Sequence, residues 1–210
     1  MNKTKNEQVN NMGPRSSRKF AMSLDKICAE ERFVNPKVLR SVIELAIEIA
    51  REGREGRKIG TMFVVGDEDQ VLDASWALIL DPLKGHSPDV KKVGDPNMRE
   101  TIKELSQLDG AFILSNEGVV ISAARYIDAN SRDIDLPLGL GSRHVAAASI
   151  TKNTDAVAVV VSESSVVRIV DDGEIIAEII PELWLIQRVN SGGVKQATAQ
   201  KPNKTESGQK

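Results

Sequence analysis

Asn35-Pro36 opens the clearest amphipathic stretch of the chain. From there Val38, Leu39, Val42, Ile43, Leu45, Ala46, Ile49 and Ala50 fall on one broad face at helical spacing, with Arg40, Glu44, Glu48 and Arg51 opposite. Asparagine as cap, proline at the first helical position, and Gly53 and Gly56 beyond the end bracket a helix. A shorter helical pattern precedes it over 20–31. The period then changes. Ile59 to Val65 is a β-branched and apolar run too short for a buried helix, and reads as a strand. Gly66-Asp67-Glu68-Asp69 reads as a turn, and Val71 to Leu80 as a second strand. Residues 81–97, with Pro82, Gly85, Pro88, Gly94 and Pro96, read as a long irregular loop.

Helical spacing returns from Met98 to Gln107, with Ile102 and Leu105 inward. Two apolar runs, Ala111–Ser115 and Val119–Tyr126, flank Asn116-Glu117-Gly118 as a hairpin. A polar loop leads to an alanine-rich helix near 143–152. Asp155–Val161 is a continuous apolar strand suited to a sheet centre. Val166–Val170 and Glu174–Ile180 form a hairpin across Asp171-Asp172-Gly173. This alternation predicts one α/β domain over 20–190, a central mixed β-sheet flanked by helices.

Composition narrows the class. The chain has 210 residues, enough for one sizeable domain, and only 3% aromatics, so Val, Ile, Leu and Ala must build the core. The single cysteine, Cys28, excludes an intramolecular disulfide and a cysteine-based zinc site; it reads as a small buried hydrophobe. The tails, 1–19 and 191–210, are polar and read as disordered. They carry +4 and +3 of a total of −2, which leaves −9 on the domain. An acidic domain argues against a nucleic-acid-binding face. With no apolar run long enough to span a bilayer and no signal-peptide pattern, the expectation is a cytoplasmic protein with no membrane partner.

Three strings carry candidate chemistry. Asp109-Gly110-Ala111 puts a carboxylate on a turn at a strand mouth, where ligands bind in open sheets, although Asp-Gly is also a common structural turn. Gly141-Ser142-Arg143-His144 opens the alanine-rich helix. Ser142 is a natural N-cap, the free N–H groups suit phosphate, and Arg143 adds a fork of donors. His144 is either a phosphate contact or a histidine packed beneath the sheet. Ser162-Glu163 ends the buried strand with a hydroxyl and a carboxylate, placed for a metal or ligand contact or simply solvated.

Asp-Gly-Ala after a helix, Gly-Ser-Arg-His-x-Ala-Ala, and Thr-Asp-x-x-x-x-Val-Val-Ser-Glu, in this order, resemble the diadenylate cyclase domain, over roughly residues 35–180. Gly56-Arg57-Lys58-Ile59-Gly60-Thr61 and Asp81-Pro82-Leu83-Lys84-Gly85-His86 are similar to its soluble, stand-alone members. The resemblance implies condensation of two ATP into cyclic di-AMP, a second messenger, and two pyrophosphates, with a divalent metal, Mg²⁺ or Mn²⁺. It assigns Asp109 to the metal and the ribose 3′-hydroxyl, Gly110 and Ala111 to the nucleotide, and Ile127 to adenine. Ser142, Arg143 and His144 take the phosphates; Ser162 and Glu163 take phosphate and metal. Two opposed transfers imply a face-to-face homodimer or a higher homo-oligomer. The family usually reads Arg-His-Arg; here Val145 replaces the second arginine, and Lys152 or Arg125 are the cations that would have to compensate. The alternative is a regulatory module that binds ATP or cyclic di-AMP without turnover.

Overall fold

The computed structural model describes residues 24–29, 32–128, 134 and 136–186. Both tails, assigned above to disorder, lie outside the described residues. Helix α1 (Leu24–Ala29) leads into α2 (Pro36–Glu52), β1 (Thr61–Val65), α3 (Glu68–Asp73) and β2 (Ser75–Ala77). A 3-10 turn (Pro88–Lys91) precedes α4 (Pro96–Leu105). Then come β3 (Ala111–Leu114), β4 (Val120–Ile127), α5 (Ser142–Asn153), β5 (Val157–Val161), β6 (Val167–Asp171) and β7 (Glu174–Ile179). Residues 181–186 are helical as well.

The strands form one seven-stranded sheet, ordered β2-β4-β3-β1-β5-β6-β7. Only the β1–β3 pair is parallel; the others are antiparallel, so the sheet is mixed as the pattern predicted. Its two faces are separately packed. On one, Phe63, Val65, Phe112, Leu114, Val159 and Ile169 meet the apolar stripe of α2 together with α1 and α4. Phe63 and Phe112 stack there with centroids 5.2 Å apart. On the other, Met62, Val64, Ile113, Ala158 and Val160 meet Ala147, Ala148 and Ile150 of α5 and Val71 of α3. Because β1, β3 and β5 are covered on both faces, they are buried at every position, which explains their unbroken apolar runs.

Helix α2 starts as its caps dictate. The Asn35 side chain accepts from the Lys37 amide, Pro36 stands in the first turn, and Gly53 closes the helix at φ 61°. Asp95-Pro96 repeats the device for α4, with the Asp95 carboxylate accepting from the amides of Asn97 and Met98. That helix therefore begins two residues before Met98 and ends at Leu105. Cys28 is buried in α1, and burial pushes its thiol pKa up.

The strand expected over Val71–Leu80 forms only at its centre. Glu68–Asp73 is helical, only Ser75–Ala77 pairs with β4, and Leu78, Ile79 and Leu80 stand exposed. Two acidic residues in the first turn of α3 favour the helix, and Val71 alone carries its burial. The apolar 78–80 run has no facing layer to bury it.

Candidate active site at the strand ends

The sheet register brings distant segments to one edge. Thr61 at the start of β1 pairs with Val161 at the end of β5, and Met62 pairs with Ala111 at the start of β3. Ala111 in turn pairs with Arg125 near the end of β4. Gly60, Asp109-Gly110, Tyr126-Ile127 and Ser162-Glu163 are thus neighbours in space. The N-terminus of α5 arrives at the same edge.

Arg143 joins the cluster. Its Nη2 lies 3.2 Å from Asp109 Oδ1 and its Nη1 3.5 Å from Glu163 Oε1. Both carboxylates are largely exposed, so this is an open, polar mouth. Beneath it lies a cleft of about 630 Å³. Met62, Leu78, Tyr126, Ile127, Val145 and Ala146 give it an apolar floor; Asp109, Ser142 and Arg143 edge its charged end. An apolar slot with a few convergent polar groups is the usual form of a small-molecule site.

Two glycines make this geometry possible. A Cβ on Gly60 would sit 2.7 Å from Arg143 Nη1 and 3.2 Å from Glu163 Cγ, so the guanidinium bridges the carboxylates only because position 60 has no side chain. Gly110 has φ 104°, and a Cβ there would lie 2.7 Å from the backbone of Ala124 and Arg125. Strand β4 itself bends at that point, with Ala124 at φ 52° and a shifted register. The Asp109 turn is therefore seated tightly against a bulge.

The cap of α5 is Gly141, not Ser142, and it makes no side-chain cap bond. Ser142 is the first helical residue and is exposed, because the chain enters extended at Gly141 (φ −81°, ψ 178°) and turns only afterwards. The Gly141 carbonyl accepts from the amides of His144 and Val145. The amides of Ser142 and Arg143 have no partner among the described residues, which leaves two donors at the charged end of the cleft.

The remaining predicted residues are placed as follows. Ile127 is buried and lines the floor beside Tyr126. Ala111 is wholly buried and supports the floor from behind. The Ser162 hydroxyl lies 2.6 Å from that of Ser164 and accepts from the Val166 amide, within the β5–β6 turn. His144 points away from the cleft, against β6, with Nε2 3.2 Å from Arg168 Nη1. Burial first, then the Arg168 charge, lowers its pKa to about 4, so it is neutral near pH ~7. Arg125 is turned toward Ser75 and the Leu72 carbonyl, and Lys152 sits at the far end of α5, roughly 13 Å along its axis from Arg143. Lys152 is out of reach of the charged end, whereas Arg125 lines the cleft with its guanidinium held by Ser75 and the Leu72 carbonyl.

No group of three or more metal-binding side chains occurs among the described residues. Asp109 and Glu163, both reached by Arg143, are the two carboxylates that would hold a divalent ion, one of a kind that takes one or two carboxylates with phosphate oxygens and water completing its shell. Gly60, Met62, Leu78 and Tyr126 escaped sequence reasoning as site residues. Tyr126, next to Ile127, and Gly60, within the string 56–61 that resembles the family, carried signals that point to the cleft.

A second cleft, of about 520 Å³, lies at the other end of α5 around Arg32, Lys152, Asp171 and Asp172. Apart from Phe33 its lining is polar, and Arg32 is already paired with Asp171 at 2.5 Å.

A family model described as DisA bacterial checkpoint controller nucleotide-binding matches residues 48–175. The chain is similar to a diadenylate cyclase of Methanocaldococcus jannaschii, 50% identical over 146 residues that cover 69% of this chain and 46% of the relative. It is also similar to a diadenylate cyclase of Haloferax volcanii, 42% identical over 152 residues covering 71% and 55%. The chain thus spans about half the length of the curated relatives it matches. Among solved structures it resembles a hypothetical membrane spanning protein from Bacillus cereus, at 18% identity and TM-score 0.50, over 68% of this chain and 63% of that one. That likeness is one of fold. A cysteine double mutant of DacA from Staphylococcus aureus aligns at 24% identity and TM-score 0.45, over 73% and 94%. Among the described residues, no helix is long and apolar enough to cross a membrane.

Proposed function

The chain belongs to the DisA bacterial checkpoint controller nucleotide-binding family, and from that premise we propose that it is a diadenylate cyclase acting at the Asp109–Arg143–Glu163 mouth. The reaction joins two ATP. Each ribose 3′-oxygen bonds to the α-phosphorus of the other nucleotide, each bond from α-phosphorus to the bridging oxygen breaks, and two pyrophosphates leave with one cyclic di-AMP. The hydroxyl protons pass to solvent.

The observation that carries this reading is the joining of an apolar slot to a mouth where one arginine bridges two carboxylates. The slot suits a base, which the buried Ile127 side chain and the rest of the apolar floor can pack against, while the Tyr126 ring at its edge is stacked on Trp76. The Ser142 and Arg143 amides and the Arg143 guanidinium suit phosphate, and they meet the charge that grows on the α-phosphate and the leaving pyrophosphate. Asp109 accepts from and orients the 3′-hydroxyl. A carboxylate is a weak base toward a sugar hydroxyl, so Asp109 serves by aim and charge. Asp109 and Glu163 would hold a divalent metal, which supplies charge neutralisation at the phosphates and polarises the attacking hydroxyl.

Val145 lies with the apolar floor, so where the family usually carries a second arginine this chain has an apolar wall of the slot. One slot holds one nucleotide, and two opposed transfers call for two slots face to face in a two-fold dimer. Asp109→Asn tests the assignment. The side chain is exposed, so the variant should fold and bind ATP yet release no pyrophosphate. Retained turnover would remove Asp109 from the reaction, and nucleotide binding without turnover in the unaltered chain would favour the regulatory module.

A further inference from the structure

His144 and its neighbours on β6 and β7 do not touch the cleft, yet they form a linked polar arrangement close to it. Arg168 and Glu178 are cross-strand partners, with Arg168 Nε 2.5 Å from Glu178 Oε1. The other side of the guanidinium approaches His144 Nε2 at 3.2 Å. Arginine is a donor only, so Nε2 must accept, and the imidazole carries its proton on Nδ1. That Nδ1 is buried beside the Gly141 carbonyl without reaching hydrogen-bond geometry. His144 follows Arg143 in the first turn of α5, one side chain facing β6 and the next facing the mouth.

We propose that Arg168, held by Glu178, is a positioning residue: by gripping the His144 ring at Nε2 it sets the first turn of α5, and with it the reach of Arg143 to Asp109 and Glu163. The proposal rests on the cleft being the nucleotide site. The first turn of α5 needs such an anchor, because its cap, Gly141, contributes no side-chain bond. Glu178 contributes by holding Arg168 in line, since an unpaired guanidinium in this half-buried place would turn toward solvent.

Two measurements test it. Nitrogen NMR of His144 should show the Nδ1–H tautomer in the unaltered protein and a loss of that preference in Arg168→Gln. An Nε2–H tautomer in the unaltered protein would overturn the proposal whatever the chain binds. Affinity for 3′-deoxy-ATP with Mg²⁺, which cannot react, should fall about tenfold in Arg168→Gln, as for one charge-assisted hydrogen bond misplaced. In an Arg143→Ala background the same substitution should change affinity less than about twofold, because pairs that act through one another are not additive. Equal losses in both backgrounds would overturn the proposal. Arg168→Lys, which can still donate to Nε2, should restore much of the loss, whereas a merely structural role predicts no such rescue. Failure of the unaltered chain to bind the nucleotide would instead sink the functional reading, with the tautomer still deciding the role of Arg168.

Discussion

At the scale of single residues, the site depends on what is missing as much as on what is present. Arg143 reaches both carboxylates over a position without a side chain, so Gly60→Ala should force the guanidinium off its bridge. The expected result is a fall in kcat/KM of about tenfold or more, with little change in melting, since Gly60 has an ordinary backbone and the neighbour displaced is the end of a flexible side chain. Unchanged kinetics would show that the bridge is not used. Gly110→Ala differs in kind, because it strains a left-handed backbone and drives a Cβ into β4; destabilisation of about 2 kcal/mol or more, seen in chemical denaturation, is expected. Asp109, Arg143 and Glu163 were legible as candidates because each is a polar residue at a strand mouth, a helix start or a strand end. Gly60 was not. Its role comes from a neighbour 83 positions later in the chain, and only the resemblance of the string 56–61 marks it.

At the scale of elements, α2, the β3–β4 and β6–β7 hairpins and the central β5 were all readable, because cap chemistry and unbroken apolar runs have local causes. The segment 67–80 was readable only at Ser75–Ala77, since its acidic start favours a turn of helix and its apolar end at 78–80 has no facing layer to extend the strand. The cap of α5 was misassigned for a related reason: which residue caps is set by where the chain enters, and Gly141 enters extended. Packing of α5 on the sheet has a pH signature. The unfolded imidazole of His144 titrates near pH ~6.5, but in the fold burial and then Arg168 hold it to about 4. The unfolded chain therefore binds the extra proton first. The stability that goes with a neutral His144 is whole above pH ~6.5 and lost as pH falls toward 4, by about 2 kcal/mol at pH ~5. Denaturation of the chain and of His144→Gln at pH ~7.5 and ~5 checks this: the glutamine variant should lose less on acidification, and an equal loss would remove His144 as the cause.

At the scale of the whole molecule, the sheet order is what converts scattered strings into one site. The parallel β1–β3 pair and the antiparallel β1–β5 pair bring two strand starts and one strand end together, a juxtaposition that no local pattern encodes. The sequence predicted the class, one mixed sheet between helices, and left the order open. On the proposed reading the slot described holds one of the two nucleotides, so turnover per chain should rise with protein concentration until the two-fold assembly saturates. Specific activity that stays constant under dilution into a demonstrably monomeric state would contradict the face-to-face arrangement. The most direct measurement is of the products themselves: the purified chain is incubated with ATP and Mg²⁺ or Mn²⁺, and nucleotides and pyrophosphate are separated and weighed by mass spectrometry. The account predicts one cyclic di-AMP for every two pyrophosphates, and none of either from Asp109→Asn. ATP bound and returned unchanged, or hydrolysed without a 3′–5′ linkage, would contradict it.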